Sequence, residues 1–182
     1  MEFFPTALPE VMLIKPRVFE DRRGFFLETW SAEKFATAGH PAQFVQDNLS
    51  RSVRDTLRGL HYQIQRPQGK LVRAVRGEIY DVAVDLRRGS PTFGKWQAAY
   101  LSADNKHALW VPAGFAHGFL VTSDVADVQY KCTDNWFPQH ERTLLWNDAE
   151  LKITWPLSAG RTPLLSDKDQ AGKLLREAET YP

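Results

Sequence analysis

Hydrophobic and polar positions alternate along most of this chain with a period of two, the spacing of strands that bury one face. The pattern is clearest between Lys70 and Leu86. Leu71 to Val75 is largely apolar, Arg76-Gly77-Glu78 supplies turn residues, and Ile79 to Leu86 alternates again. The spacing predicts a hairpin. Its second arm sends Ile79, Asp81, Ala83 and Asp85 to one face and Tyr80, Val82, Val84 and Leu86 to the other. Asp81 would then sit near His61 or Lys70. Shorter runs predict further strands. Val11–Lys15 and Val18-Phe19 lie near a sheet edge, because Pro16 cannot donate to a ladder. Phe25–Trp30 follows the turn Asp21–Gly24 and groups Phe26, Glu28 and Trp30. Phe44–Ser50 groups Gln46, Asn48 and Ser50, and Lys95–Leu101 follows the turn Pro91–Gly94. Val125–Cys132 groups Val128, Tyr130 and Cys132.

Helical signals are confined to the two ends. Ser31 is a suitable N-cap for a short helix through Ala38, stopped by Gly39. Ser166 caps a helix after Pro163, with Asp167 and Asp169 in its first turn and Leu174-Leu175 as its apolar contact. Recurring strands separated by turns predict an all-β sandwich or barrel, a jelly roll with short peripheral helices. No repeat, low-complexity tract or linker divides it, so a single domain over 1–182 is expected.

Arg58-Gly59-Leu60-His61-Tyr62-Gln63 carries the candidate chemistry. It sets a cation, a glycine and an imidazole close together, and Lys70 opens the next strand after Pro67-Gln68-Gly69. Arg58 and His61 are three apart, so a regular strand would turn them to opposite faces. Gly59 predicts a bulge that resolves this. Beyond it His61 and Gln63 share one face, and Leu60, Tyr62 and Ile64 the other. An imidazole takes a proton from carbon well when an ammonium holds the charge that develops on oxygen. A lone histidine in a β protein is more often structural, so the argument rests on its neighbours. The amide row of Gln46 and Asn48 suits a base or a sugar, though alone it reads as a solvated strand face.

Composition narrows the classes. Lys and Arg number 23 against 22 Asp and Glu, which gives no global field for nucleic acid and no basic run for a membrane surface. Cys132 is the only cysteine, so no intrachain disulfide forms and a reducing compartment fits. The N-terminus has no signal pattern and no apolar run nears the roughly 20 residues that span a bilayer. A cytoplasmic protein is expected. Six tryptophans and eleven phenylalanines suit a β core or a stacking pocket.

Pro112-Ala113-Gly114-Phe115-Ala116-His117 resembles the second motif of cupins, a jelly-roll superfamily. The first cupin motif usually supplies two histidines one residue apart and a nearby glutamate. Here His61-Tyr62-Gln63 stands in that place, no Glu lies between His61 and Glu78, and Lys70 occupies the region of the acid. Two histidines and a glutamine beside an ammonium are poor ligands for a transition metal. The expected site is metal-free and needs no cofactor.

The constellation resembles the dTDP-4-dehydrorhamnose 3,5-epimerases over nearly the whole chain. Asp21–Phe26, Gln46–Asn48, Arg58–Gln63, Gly69–Val72, Pro112–Phe119, Tyr130-Lys131 and Ser166–Asp169 carry the likeness. The resemblance implies double epimerisation of dTDP-4-dehydro-6-deoxy-D-glucose, a step toward dTDP-L-rhamnose and surface polysaccharide. It implies that His61 is the base, Asp169 its orienting acid, Tyr130 the proton donor on the opposite face and Lys70 the group polarising the C4 carbonyl. Arg58, His117 and Lys168 would contact the sugar or pyrophosphate. Gln46, Asp47 and Asn48, with Arg23, Phe26 and Glu28, would hold the nucleotide end. Glu141 matches another binding position, and Trp136 could stack on the nucleotide or gate the sugar. The Arg23–Glu28 segment is typically supplied across a dimer interface, which implies a homodimer. Two alternatives keep the site but change the outcome: a mono-epimerase acting at C3 or C5 only, and a nucleotide-sugar-binding module without turnover. A metal-dependent cupin enzyme is disfavoured by Gln63 and Lys70.

Overall fold

The computed structural model describes the whole chain, Met1–Pro182. Its elements run β1 (Glu2–Pro5), β2 (Met12–Lys15), β3 (Val18–Asp21), β4 (Gly24–Leu27), α1 (Ala32–Thr37), β5 (Gln46–Val53), β6 (Leu57–Gln63) and β7 (Lys70–Arg76). They continue with β8 (Glu78–Asp85), β9 (Trp96–Ser102), β10 (Ala108–Val111), β11 (Phe115–Val121), β12 (Val125–Cys132), β13 (Glu141–Thr143) and α2 (Asp167–Gln170). One sheet has the order β1-β2-β10-β7-β12-β5 and the other β13-β6-β11-β8-β9, while β3 and β4 form a separate two-stranded ribbon. Neighbouring strands within each sheet are antiparallel, as a jelly roll requires.

The alternation of each strand explains the layers. Val72, Ala74, Leu109 and Val128 from the first sheet meet Ile79, Ala83, Phe115 and Phe119 from the second, and this is the main core. The opposite face of the second sheet is also apolar. Leu60, Tyr62, Val82, Val84 and Leu86 pack there under Leu144, Leu151, Leu175 and Ala178 of the C-terminal segment. On the outer side of the first sheet, Phe35 of α1 seals Met12, Ile14, Leu71 and Trp110. Ser31 caps α1 by accepting from Lys34 N, as its sequence predicts.

Three features depart from expectation. β7 and β8 are not a hairpin. They belong to different sheets, and the chain crosses between them at Gly77, whose φ is +67°. A Cβ there would lie 2.0 Å from the Val125 carbonyl oxygen, so only glycine fits the crossing. The predicted faces of β8 survive because both strands present one side to the same core. Periodicity reports which side is buried, not which strand is the ladder partner. Secondly, β1 is an edge strand that the pattern did not predict, and β2 lies beside it, near the edge as predicted. Finally, α2 has only four residues. The chain then bends to a 3₁₀ turn at Leu175–Glu177 that inserts Leu175 into the outer apolar layer.

Candidate active site

A cavity of about 310 Å³ is lined from both sheets. The first sheet contributes Gln46, Asn48 and Ser50 on β5, Lys70 on β7, and Tyr130 and Cys132 on β12. The second contributes Arg58 and His61 on β6, His117 and Phe119 on β11, and Glu141 on β13. Gln68, Trp136 and Lys168 complete the wall.

Local backbone brings Arg58 and His61 into the same cavity. His61 pairs with His117 and Arg58 with Phe119, so Gly59 and Leu60 stand opposite the single residue Gly118. This is the predicted bulge. Gly59 has φ +117°, and a Cβ on it would lie 2.7 Å from both Gly118 Cα and the His117 oxygen. The two strands approach too closely at this point for any side chain. Beyond the bulge, Leu60 and Tyr62 enter the outer apolar layer while His61 faces the cavity.

His61 Nε2 lies 2.5 Å from Asp169 Oδ1. The same oxygen accepts from Gly59 N at 3.2 Å, and Asp169 Oδ2 accepts from the Ser166 hydroxyl at 2.7 Å. Burial pushes the Asp169 carboxyl upward, but the hydrogen bonds from His61, Ser166 and Gly59 outweigh it and hold the group below the usual carboxylate range. Burial lowers the His61 pKa, aided by Lys168 and Lys70 and opposed by Asp169. An ionised carboxylate beside a neutral imidazole fixes the proton on Nε2. The Nδ1 lone pair remains as the basic position.

Lys70 has no ion pair or hydrogen-bond partner for its ammonium, and desolvation lowers its pKa while Glu141 and Asp81 pull the other way. The Tyr130 hydroxyl is likewise unpartnered within the chain, and burial raises its pKa, so it keeps its proton at neutral pH. His117 is buried and shares Nε2 between Asp81 Oδ1 at 3.0 Å and Oδ2 at 2.9 Å. The direct partner of Asp81 is therefore His117, rather than His61 or Lys70. At the rim, Lys168 donates to Glu141 at 3.0 Å and Arg58 donates to the Ser52 hydroxyl at 2.9 Å.

Besides Asp169, which contacts His61 without lining the cavity, four expected site residues lie outside it. Asp47 takes the opposite face of β5 from Gln46 and Asn48 and pairs with Lys131 at 2.9 Å. Arg23 pairs with Asp21 on the β3–β4 ribbon, Phe26 is 70% exposed there, and Glu28 pairs with Lys34 at 2.7 Å. Conversely, Cys132, Phe119, Ser50 and Gln68 line the cavity without having been expected to. The period-two rule reaches three of them, since Cys132 follows Tyr130, Phe119 follows His117 and Ser50 follows Asn48 by two residues. No three His, Cys, Asp or Glu side chains converge as metal ligands. No helix is long and apolar enough to cross a membrane.

The fold and the cavity define an isomerase on a cupin-like jelly roll, a class that moves protons on a nucleotide sugar. Residues 5–177 match the family described as dTDP-4-dehydrorhamnose 3,5-epimerase, and the chain belongs to that family. A dTDP-4-dehydrorhamnose 3,5-epimerase of Pseudomonas aeruginosa is 60% identical over 177 residues, 97% of either chain. The crystal structure of a dTDP-6-deoxy-D-glucose-3,5-epimerase from Legionella pneumophila in complex with dTDP-4-keto-L-rhamnose superposes with a TM-score of 0.94 at 47% identity, covering 98% of this chain and 94% of that one. A 3'-monoepimerase from Streptomyces bikiniensis in complex with dTDP-quinovose matches with a TM-score of 0.88 at 36% identity, over 94% and 87%.

Proposed function

We propose that this chain converts dTDP-4-dehydro-6-deoxy-D-glucose to dTDP-4-dehydro-L-rhamnose by inverting both C3 and C5, with no metal or cofactor. His61 Nδ1 removes the proton next to the C4 ketone, and the electron pair moves onto O4. The Lys70 ammonium, unpaired with any carboxylate of the chain, stabilises that enolate, help worth a few kcal/mol per donor. Tyr130 delivers a proton to the other side of the carbon, and solvent re-protonates Tyr130 and deprotonates His61 afterwards. Asp169 holds the imidazole in the tautomer that can act. Arg58, His117, Lys168 and Glu141 contact the sugar and pyrophosphate, Gln46 and Asn48 the nucleoside, and Trp136 covers the sugar.

The single observation that carries this reading is that His61 and Tyr130 come from different sheets and line one cavity that Lys70 also lines. Inversion needs a base and an acid on opposite sides of a carbon, and facing sheets supply them. The relative that is a 3'-monoepimerase supports keeping single inversion as the second reading.

The working unit is a homodimer in the cytoplasm, each chain one domain over 1–182, with neither nucleic acid nor membrane as a partner. Arg23, Phe26 and Glu28 reach the second copy's cavity, together with Asp47 at its edge. This is supported by exposed Phe19, Phe25 and Phe26 on the β3–β4 ribbon. It is also supported by exposed Leu49, Val53 and Val75 on the outer side of the first sheet, where Arg73 Nε is buried without a partner.

Proton NMR of the substrate in deuterated water with chelator-treated enzyme tests the reaction. Deuterium should enter at both C3 and C5. Entry at one carbon alone establishes the mono-epimerase, no entry leaves a binding module, and exchange restored by added metal overturns the metal-free site. In the same assay Tyr130→Phe should exchange a first carbon without completing inversion.

A further inference from the structure

Gln63 stands where a metal-binding cupin usually has its second histidine, and its side chain is fully engaged elsewhere. It is 2% exposed. Its Oε1 accepts from Phe137 N at 2.6 Å, and its Nε2 donates to the Arg66 carbonyl at 2.8 Å and the Asn135 carbonyl at 3.2 Å. A neutral amide has two donor hydrogens, and both are used here, with the oxygen also occupied. Between Asn135 and Phe137 lies Trp136, whose own N–H donates to Gln46 Oε1 at 2.9 Å. Three consecutive backbone units are thus pinned by two glutamines, one from each sheet. Trp136 is 54% exposed yet lines the cavity, and its indole makes no hydrogen bond or ring–ring contact within the chain. No side-chain hydrogen bond or ring pair fixes the indole, so its position over the cavity follows the backbone that carries it.

We propose that Gln63 is a positioning residue that sets the height of the Trp136 indole over a bound 4-keto-6-deoxyhexose, and thereby the partition between exchange at C3 and at C5. The inference rests on the epimerase reading of the cavity. The sugar must re-present its second carbon to the same base after the first inversion, and the indole forms the wall against which it turns. Gln63 acts at one remove: it touches the loop and not the substrate. The loop's outer side has further braces: the Arg66–Asp134 pair at 2.7 Å, Arg66 over the Phe137 ring at 4.3 Å, and Gln68 Nε2, which donates to the Asp134 carbonyl at 2.8 Å. Loss of Gln63 therefore loosens the stretch beneath the indole while the loop stays attached.

A double-mutant cycle tests this. Gln63→Met keeps the length of the side chain and removes its hydrogen bonds. Gln63→Glu keeps the acceptor for Phe137 N and removes both donors, so it remains available where the apolar variant fails to fold. Each is made alone and in a Trp136→Ala background. KM, kcat and the ratio of deuterium entry at C3 and C5 are measured, with the Kd of dTDP as control. If Gln63 works through the indole, its substitution should raise KM and move the C3:C5 ratio about fivefold or more in the parent. It should move them less than about twofold once Trp136 is gone, the non-additivity of coupled residues. Equal effects in both backgrounds, or no effect in the parent, would overturn the proposal. Wild-type enzyme run alongside separates the two failures: no exchange in wild type removes the epimerase reading, whereas normal wild-type exchange with an additive cycle removes only the role of Gln63.

Discussion

His61 and His117 are neighbours in the ladder between β6 and β11, and each imidazole turns its Nε2 to an aspartate. The settings differ. Asp81 lies on β8, the strand next to His117, and both of its oxygens face that one ring. The pair is enclosed, with side-chain exposures of 8% and 0%. Asp169 comes from a four-residue helix outside the sheets, its second oxygen braced by Ser166, and the His61 ring stays 22% exposed to the cavity. The same two residue types therefore make an enclosed pair in one place and an imidazole open to the cavity in the other. What decides is where the carboxylate comes from. An aspartate within the sheet encloses its histidine, and one delivered from the periphery leaves the imidazole open to a ligand.

His61→Ala should separate the pairs most sharply. Exchange at both carbons should fall by at least the roughly two to four powers of ten that a positioned base contributes, while dTDP binds within a few-fold of wild type by calorimetry. Equal loss of exchange in His117→Ala, with substrate still bound, would exchange the two assignments.

Asp169→Asn should cost about a hundredfold in kcat, within the range expected for acid–base assistance, because the amide no longer enforces the Nε2–H tautomer. It should also move the pH profile. Burial disfavours the imidazolium, so the folded His61 pKa lies below the ordinary histidine value of about 6.5. Activity is then retained through neutral pH and lost as pH falls through that lowered pKa. The carboxylate opposes the shift, so removing its charge should carry the acid limb lower still. A limb that moves upward in Asp169→Asn would contradict the assigned charges.

Asp81→Ala should have the smallest catalytic effect, under about tenfold in kcat, since acid–base assistance comes from groups that exchange protons with substrate. Its cost should appear in stability, about 1–3 kcal/mol for a buried imidazole N–H left without its acceptor, read as a lower denaturation midpoint. A kcat loss as large as that of Asp169→Asn would make the two pairs equivalent.

The base of this comparison was legible in the sequence to an uneven degree. Gly59 beside His61 announced the bulge, because a three-residue spacing cannot share a strand face without one. Ser166 announced the cap of α2, and alternation grouped Tyr130 with Cys132 and Asn48 with Gln46 without saying which face was buried. Alternation could not tell that β7 and β8 part company at Gly77, nor that Asp81 faces His117, since both depend on which strands become neighbours. Gln63 was readable only as an unsuitable metal ligand. Its hydrogen bonds go to loop carbonyls and an amide N–H that no residue pattern encodes. Arg23, Phe26 and Glu28 are a different case: their expected role belongs to a second copy, so one chain leaves them exposed or paired locally.

Because His61 and Tyr130 project from separate sheets, the gap between them is the thickness of the oily filling. Facing sheets stack about 10 Å apart, by an amount their interdigitating side chains determine. Val72, Val128 and Phe119, which touch no proton in the reaction, are therefore shims in a gauge. Adding or removing a methyl group there changes the separation of the two side chains proposed as base and acid. Selection on the handedness of a product can in this way act on residues that carry no charge and form no hydrogen bond.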